Sequence, residues 1–239
     1  CLAKARHPEN LRFGICLQHD NAAEPGVQEN CIDHYLDDPR FRAVKFDYRD
    51  SQGGSWARHQ VQRLYAGEKY TLQIDAHSRF IRYWDSLLID MLNRMPSDKP
   101  LITGFPPLYF INGGVETFDK LHDPRNLGTV VVESWSDDGW IRHVTRDIPE
   151  NSAIPRRTRV LSGAFVFTRG DWNLEVMQDP EHYYTGEEFA LTLRSYTWGY
   201  DLFDPEHVVV WHRSHPEPNR KHFTDTGDAR ADRHNAVAY

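Results

Sequence analysis

Short apolar runs alternate along this chain with stretches of helical periodicity, and that alternation restricts the fold more than any other feature. Leu11 to Gln18, Arg42 to Tyr48, Tyr70 to Ile74, Leu101 to Gly104, Thr129 to Ser134, Arg159 to Thr168 and His207 to Trp211 read as strands, bounded by turn-forming residues. Between them, Ser55 to Ala66 carries apolar side chains at Trp56, Val61, Leu64 and Tyr65, the spacing of a helix lying on a sheet. Phe80 to Met95 is the clearest amphipathic stretch. Trp84, Leu87, Leu88, Met91 and Leu92 fall on one face, and Pro96 follows its end. Gly186 to Thr197 is a further helix. Strands interleaved with helices predict an α/β fold with a mostly parallel central sheet flanked by helices. Ligands of such open sheets gather at the carboxyl ends of strands, where Asp75 and His77 stand.

The remaining segments carry weaker expectations. Cys1 to Arg6 reads as the tail of a helix already under way, with an upstream strand and helix before it. The region between Gly104 and Thr129 is rich in Gly, Pro, Asn and Asp and too long for an ordinary connection, which predicts a functional or mobile loop. Residues 213–239 are polar and read as a tail folding back over a site.

Charge and cysteine usage narrow the function classes. A formal net charge of −7, with acids spread along the chain, lacks the basic stripe of a nucleic-acid binder. A phosphate-bearing ligand would need local neutralisation by a metal ion or a few arginines. No apolar run approaches the roughly 18 residues of a membrane span. Cys1, Cys16 and Cys31 are odd in number and match no zinc spacing, which points to a reducing, cytoplasmic compartment. At 239 residues the chain buries a sizeable core without disulfide support.

Four clusters carry chemistry, each with a bland reading beside the functional one. In Gln73-Ile74-Asp75-Ala76-His77 a carboxylate and an imidazole lie one residue apart, on the same side of an extended chain. That donor pair suits Mn²⁺ or a similar divalent cation, whereas the bland reading makes Asp75 the N-cap of the next helix. Gly186-Glu187-Glu188 opens a helix, where acids either complement the dipole or stand beside a substrate. His212 ends the run Val208-Val209-Val210-Trp211 and either completes a metal site or is solvated. Arg58 follows the glycine pair Gly53-Gly54 at a helix start, a setting that suits phosphate, although arginines there are commonly surface residues.

The order of these clusters resembles a known family. Gly53-x-x-x-Ala57-Arg58, Gly67-Glu68-x-Tyr70-x-Leu72-Gln73-Ile74-Asp75-x-His77-x-x-Phe80-x-x-x-Trp84-Asp85, Phe167-Thr168-x-Gly170-Asp171, Asp179-Pro180, Tyr184-x-Gly186-Glu187-Glu188-Phe189, Gly199-Tyr200-Asp201 and Pro205 look like the UDP-GlcNAc:polypeptide N-acetylglucosaminyltransferases. The layout is also similar to that of the polypeptide GalNAc-transferases. The resemblance implies a single GT-A domain over 1–239 and a retaining transfer from a UDP-sugar, with GlcNAc as the sugar, to a hydroxyl of a polypeptide or other acceptor. It implies Asp75, His77 and His212 as ligands of Mn²⁺ or Mg²⁺, and Glu187 or Glu188 as the catalytic-side carboxylate on the donor sugar. Arg58 and Gly54, with Asp75 and Trp84, would serve the nucleotide-sugar. The family's first strand, which would cradle the uracil, is expected upstream of Cys1. Tyr109 to Arg157 departs from the family pattern, and that region is expected to choose the acceptor. The rival readings are a non-catalytic nucleotide-sugar or glycan-binding module and a GT-A-like nucleotidyltransferase.

Overall fold

Tyr70–Ile74 forms the strand its pattern predicts, but it lies in a mixed sheet rather than a parallel one. The computed structural model describes residues 1–19, 32–119, 128–135, 137, 141–148, 154–183 and 186–213. These fall into two compact units, one built from Cys1–Glu9, Lys69–Trp172 and 188–213, the other from Asn10–Glu68 and Asn173–Glu187. Cys31 and the tail 214–239 lie outside the described residues.

The smaller unit holds β1 (Phe13–His19) and β2 (Phe41–Asp47), paired in parallel, with α1 (Gly54–Gln62) packed on them. Parallel neighbours need a crossover of a dozen or more residues, which the chain between them supplies. Phe13 stacks on Phe41 at 4.5 Å, and Trp56 of α1 meets Phe46 edge-on. The segment from Val176 to Tyr183 is stitched to α1 through its backbone. Gln62 is buried, donates to the Val176 carbonyl and accepts the Gln178 N–H, while His59 Nδ1 meets the Gln178 carbonyl at 2.9 Å. Gly54 donates its N–H to the Tyr183 carbonyl. This close approach explains Gly53. Its φ is +109°, and a Cβ there would sit 2.3 Å from the Tyr183 oxygen.

The larger unit contains two four-stranded sheets. The first is ordered β11 (Asp201–Phe203), β5 (Pro100–Thr103), β10 (Phe165–Arg169), β3 (Tyr70–Ile74). The second is ordered β4 (Ser78–Phe80), β12 (Val210–Arg213), β6 (Leu108–Asn112), β7 (Val115–Phe118). The hairpin β8 (Gly128–Trp135) and β9 (Ile141–Asp147) stands beside them as a two-stranded ribbon. Two amphipathic helices complete the unit: α2 (Trp84–Arg94), and α4 (Glu187–Thr197), whose first residue belongs to the smaller unit. A single-turn α3 (Trp172–Glu175) falls where the chain passes between units. Among the described residues the parallel ladders are β1–β2, β5–β11 and β6–β12; the others are antiparallel. The α/β class therefore stands, and the mostly parallel sheet is corrected. The cause is β10, which enters between β5 and β3 and runs opposite to both.

Other differences from the sequence reading have local reasons. Of the 104–129 region, residues 104–119 are not a structureless loop, because Gly113 and Gly114 both take positive φ and close a two-residue hairpin between β6 and β7; 120–127 lie outside the described residues. Arg159 to Thr168 is a strand only from Phe165. The buried bend before it finds other partners for its backbone: Leu161 N–H to Thr192 Oγ1, Ser162 N–H to Thr103 Oγ1, and Gly163 N–H to Glu188. Phe80 belongs to β4 rather than to a helix, and α2 begins at Trp84 after Tyr83 turns through φ 64°. Cys1 to Arg6 contains a 3₁₀ turn, Leu2–Lys4, not a helix tail. That turn is fastened to α2: Tyr83 donates to the Lys4 carbonyl, Trp84 Nε1 to the Cys1 carbonyl, and the Asp85 carboxylate accepts the N–H groups of Arg6 and His7 at 2.7 and 2.8 Å.

Two stability predictions follow from these contacts. Gly53→Ala is expected to cost about 3 kcal/mol or more, from positive-φ strain plus the clash with Tyr183, read as a lowered urea midpoint. Burial pushes the Asp85 carboxyl up, but the N–H groups of Arg6 and His7, together with those of Ser86 and Asp85 itself, outweigh it and hold the carboxyl below its usual range. A depressed acid contributes stability that is present above its unfolded pKa and lost as pH falls through its folded pKa. Wild type should therefore lose stability below about pH 4 more steeply than Asp85→Asn, which should already be about 1–3 kcal/mol weaker at pH 7.

Candidate active site

Three ligand-type side chains meet where β3 hands over to β4. After Ile74 the chain turns at Asp75, whose carbonyl accepts the Ser78 hydroxyl at 2.8 Å. His77 then sits one residue before β4. β12 runs antiparallel to β4 with His212 opposite Ser78, and Arg213 donates its N–H to the His77 carbonyl. That register makes His77 and His212 cross-strand neighbours although they lie far apart in sequence. Their Nε2 atoms are 2.7 Å apart, and His212 Nε2 is 3.1 Å from Asp75 Oδ2. One ligand atom from each residue lies within 4.8 Å of the others. All three side chains are half-buried.

This geometry removes the bland readings of Asp75 and His212. Asp75 caps no helix, because the next element is a strand and the next helix begins at Trp84. His212 faces partners, not bulk water alone. One carboxylate oxygen and two imidazole nitrogens this close together form a donor set suited to Mn²⁺, Zn²⁺ or a similar divalent cation, with the acid supplying charge and the imidazoles supplying softer ligands.

The two acids at the start of α4 have separate surroundings. Glu187, in the smaller unit, pairs with Arg58 of α1 and accepts the Ser55 hydroxyl at 3.1 Å. Glu188, in the larger unit, accepts the Gly163 N–H at 2.8 Å through one oxygen and meets His143 Nε2 at 2.5 Å through the other. Both carboxylates thus reach away from their own helix, so helix capping does not account for them. Hydrogen bonding to Glu188 pushes the His143 imidazole above its usual pKa despite its burial. Gly163 also accepts the Gln73 side-chain amide at 2.9 Å, and Gln73 lies two residues before Asp75 on β3. A continuous hydrogen-bonded path therefore runs from the β8–β9 hairpin through Glu188 to the strand that carries the metal-type ligands.

The comparisons with known proteins fit this layout. A family model described as Glycosyltransferase (GlcNAc) matches residues 16–238. The chain belongs to that glycosyltransferase family. Among solved structures it is similar to "Crystal structure of GalNAc-T7 with UDP, GalNAc and Mn2+", with a TM-score of 0.60 and 17% identity over 84% of this chain. The chain spans 38% of that protein's length. At this identity the likeness establishes the fold, and the fold is that of a GT-A glycosyltransferase. No curated protein sequence matches the chain.

The fold brings together Asp75, His77 and His212, and separately Arg58 and Glu187. It draws Trp84 into the core, where the indole is 5% exposed, packs against Phe80 and supports the 3₁₀ turn through Cys1. Gly54 commits its N–H to Tyr183. His143 was missed by sequence reasoning. It lies in the stretch expected to depart from the family motifs, and nothing in the run Ile141-Arg142-His143-Val144 announces a carboxylate partner. Arg58 and Glu187 are only 21% and 14% exposed, so removing one leaves a poorly solvated charge. Arg58→Ala is expected to lower stability by roughly 1–2 kcal/mol in urea titration, and Glu187→Gln by less, because the amide still accepts from Arg58.

Proposed function

We propose that this chain is a metal-dependent, retaining glycosyltransferase that moves a sugar, GlcNAc by motif resemblance, from a UDP-sugar to a hydroxyl of a polypeptide or small acceptor. The observation that carries the reading is the convergence of Asp75, His77 and His212 within 4.8 Å in a member of a glycosyltransferase family. The presence of UDP, GalNAc and Mn²⁺ in the GalNAc-T7 structure supports the same class of donor and ion. In this reading residues 1–239 act as one GT-A domain.

Asp75, His77 and His212 would hold Mn²⁺ or Mg²⁺. A divalent ion there supplies positive charge that offsets the negative charge developing on the departing diphosphate. The chain's own residues do the rest. Arg58, held by Glu187 beside Gly54, contributes a cation on the nucleotide side, and Glu188 accepts a hydroxyl of the donor sugar. The bond between the sugar's anomeric carbon and the β-phosphate oxygen breaks. The acceptor oxygen bonds to the same face of that carbon, and its proton passes to the departing phosphate, leaving UDP. No helix among the described residues is long and apolar enough to cross a bilayer. Free thiols at Cys1 and Cys16 are compatible with a cytoplasmic setting.

The test is UDP release from a panel of UDP-sugars, with Mn²⁺ and with EDTA. Release from UDP-GlcNAc that stops in EDTA, and falls on the order of 10²–10³-fold in Asp75→Asn, is the expected result. Wild-type turnover in Asp75→Asn would sink the ligand assignment. UDP binding without release from any donor, acceptors included, would make the protein a binding module, and pyrophosphate release from nucleoside triphosphate and sugar phosphate would make it a nucleotidyltransferase.

A further inference from the structure

We propose that His143 is a positioning residue for the donor sugar, fastening the β8–β9 hairpin to Glu188 and orienting that carboxylate relative to Asp75. The inference rests on the reading of Glu188 as a carboxylate on the donor sugar. It adds a role for a residue of the Tyr109 to Arg157 stretch, which lies within the matched residues 16–238.

Glu188 has two oxygens and two fixed partners. Gly163 N–H holds Oε1 at 2.8 Å, and His143 Nε2 holds Oε2 at 2.5 Å. The Gly163 donor is rigid, because the bend around it is buried and tied to Thr103, Thr192 and Gln73. His143 is the adjustable partner. With only the backbone donor, the carboxylate would pivot about one hydrogen bond. With both, its plane and its remaining lone pairs are set. Lone pairs so oriented are what a sugar hydroxyl would need, since a hydroxyl donates along a narrow range of directions.

The imidazole itself is held by two side chains, Phe105 and Glu188. Phe105 stacks on it with centroids 5.6 Å apart and planes 10° from parallel. Val132 is its cross-strand neighbour on β8, and Glu188 is the charged group that α4 presents to it. The rest of the hairpin is secured elsewhere. Thr129 at its base donates to Asp204, which also pairs with Arg156 at 2.8 Å. Truncating His143 therefore frees Glu188 without releasing the hairpin's base, and this separates positioning from folding.

The sign of the pH effect follows from the pairing. A histidine raised by a carboxylate is charged, and paired, below its folded pKa, and the pair is lost as pH rises through that value. Donor binding by the wild type should therefore weaken on the alkaline side.

Three measurements on the full chain test this. The imidazole of His143, followed by NMR, should titrate above the ordinary value of about 6.5 in wild type and return toward it in Glu188→Gln. In Mn²⁺, His143→Ala should raise KM for UDP-GlcNAc about tenfold or more with a smaller change in kcat, while the Kd for UDP alone stays at the wild-type value. His143→Gln, which keeps an N–H donor at similar reach but cannot titrate, should recover most of the affinity and lack the alkaline limb. An unshifted His143 in wild type would overturn the proposal, as would His143→Ala with wild-type KM, or loss of UDP affinity in step with that of UDP-GlcNAc. Absence of turnover by wild type with every donor is the distinct outcome in which the reading of Glu188 fails first.

Discussion

The antiparallel pairing of β12 with β4 is the constraint on which the candidate metal centre depends. Without it, Asp75 and His77 are two residues of a turn and His212 is a residue near the end of the described chain. The ladder sets His212 opposite Ser78 and lets Arg213 bond the His77 carbonyl, and so turns a long separation in sequence into neighbouring imidazoles. It is a short ladder. Its register is reinforced by the apolar run preceding His212, in which Val208, Val209, Val210 and Trp211 are all buried. A slip of one residue would turn His212 to the opposite face and bring Trp211 into its place.

Support for the site comes from polar side chains that satisfy a buried backbone. The bend at Leu161–Gly163 cannot pair as a strand, yet its N–H groups are buried, so each must find an acceptor or destabilise the fold. Thr192, Thr103 and Glu188 supply them. Glu188 thereby satisfies a buried N–H with one oxygen and meets His143 with the other, which holds the carboxylate still.

What was legible in the sequence was the local chemistry with the right periodicity. The strand Tyr70–Ile74 was read with its observed bounds, and the α2 face with Trp84, Leu88, Met91 and Leu92 was read correctly because its apolar stripe is strong. Asp75, His77 and His212 were picked out by residue type and family motif, and the structure brings their side chains together. Strand direction was not legible. Nothing in the composition of Phe165–Arg169 says that it runs against both neighbours, since direction is decided by how the chain re-enters the sheet. The hairpin at Gly113-Gly114 had a readable signal in its glycine pair, which was absorbed into an apparent loop. His143 had none, because its significance comes from a partner 45 residues away in a different element.

The adjacency of Glu187 and Glu188 has a consequence for how this helix start tolerates change. Within the smaller unit Glu187 meets Arg58 and Ser55, and within the larger unit Glu188 meets His143 and Gly163. The pair works like a two-way address label, in which position along the chain, and not side-chain identity, tells each carboxylate where to go. Exchanging the residues would alter nothing, since both are glutamate. Inserting one residue before them would carry the first acid to the second's position and the second beyond it, so the stretch is sensitive to changes in length as well as to substitution.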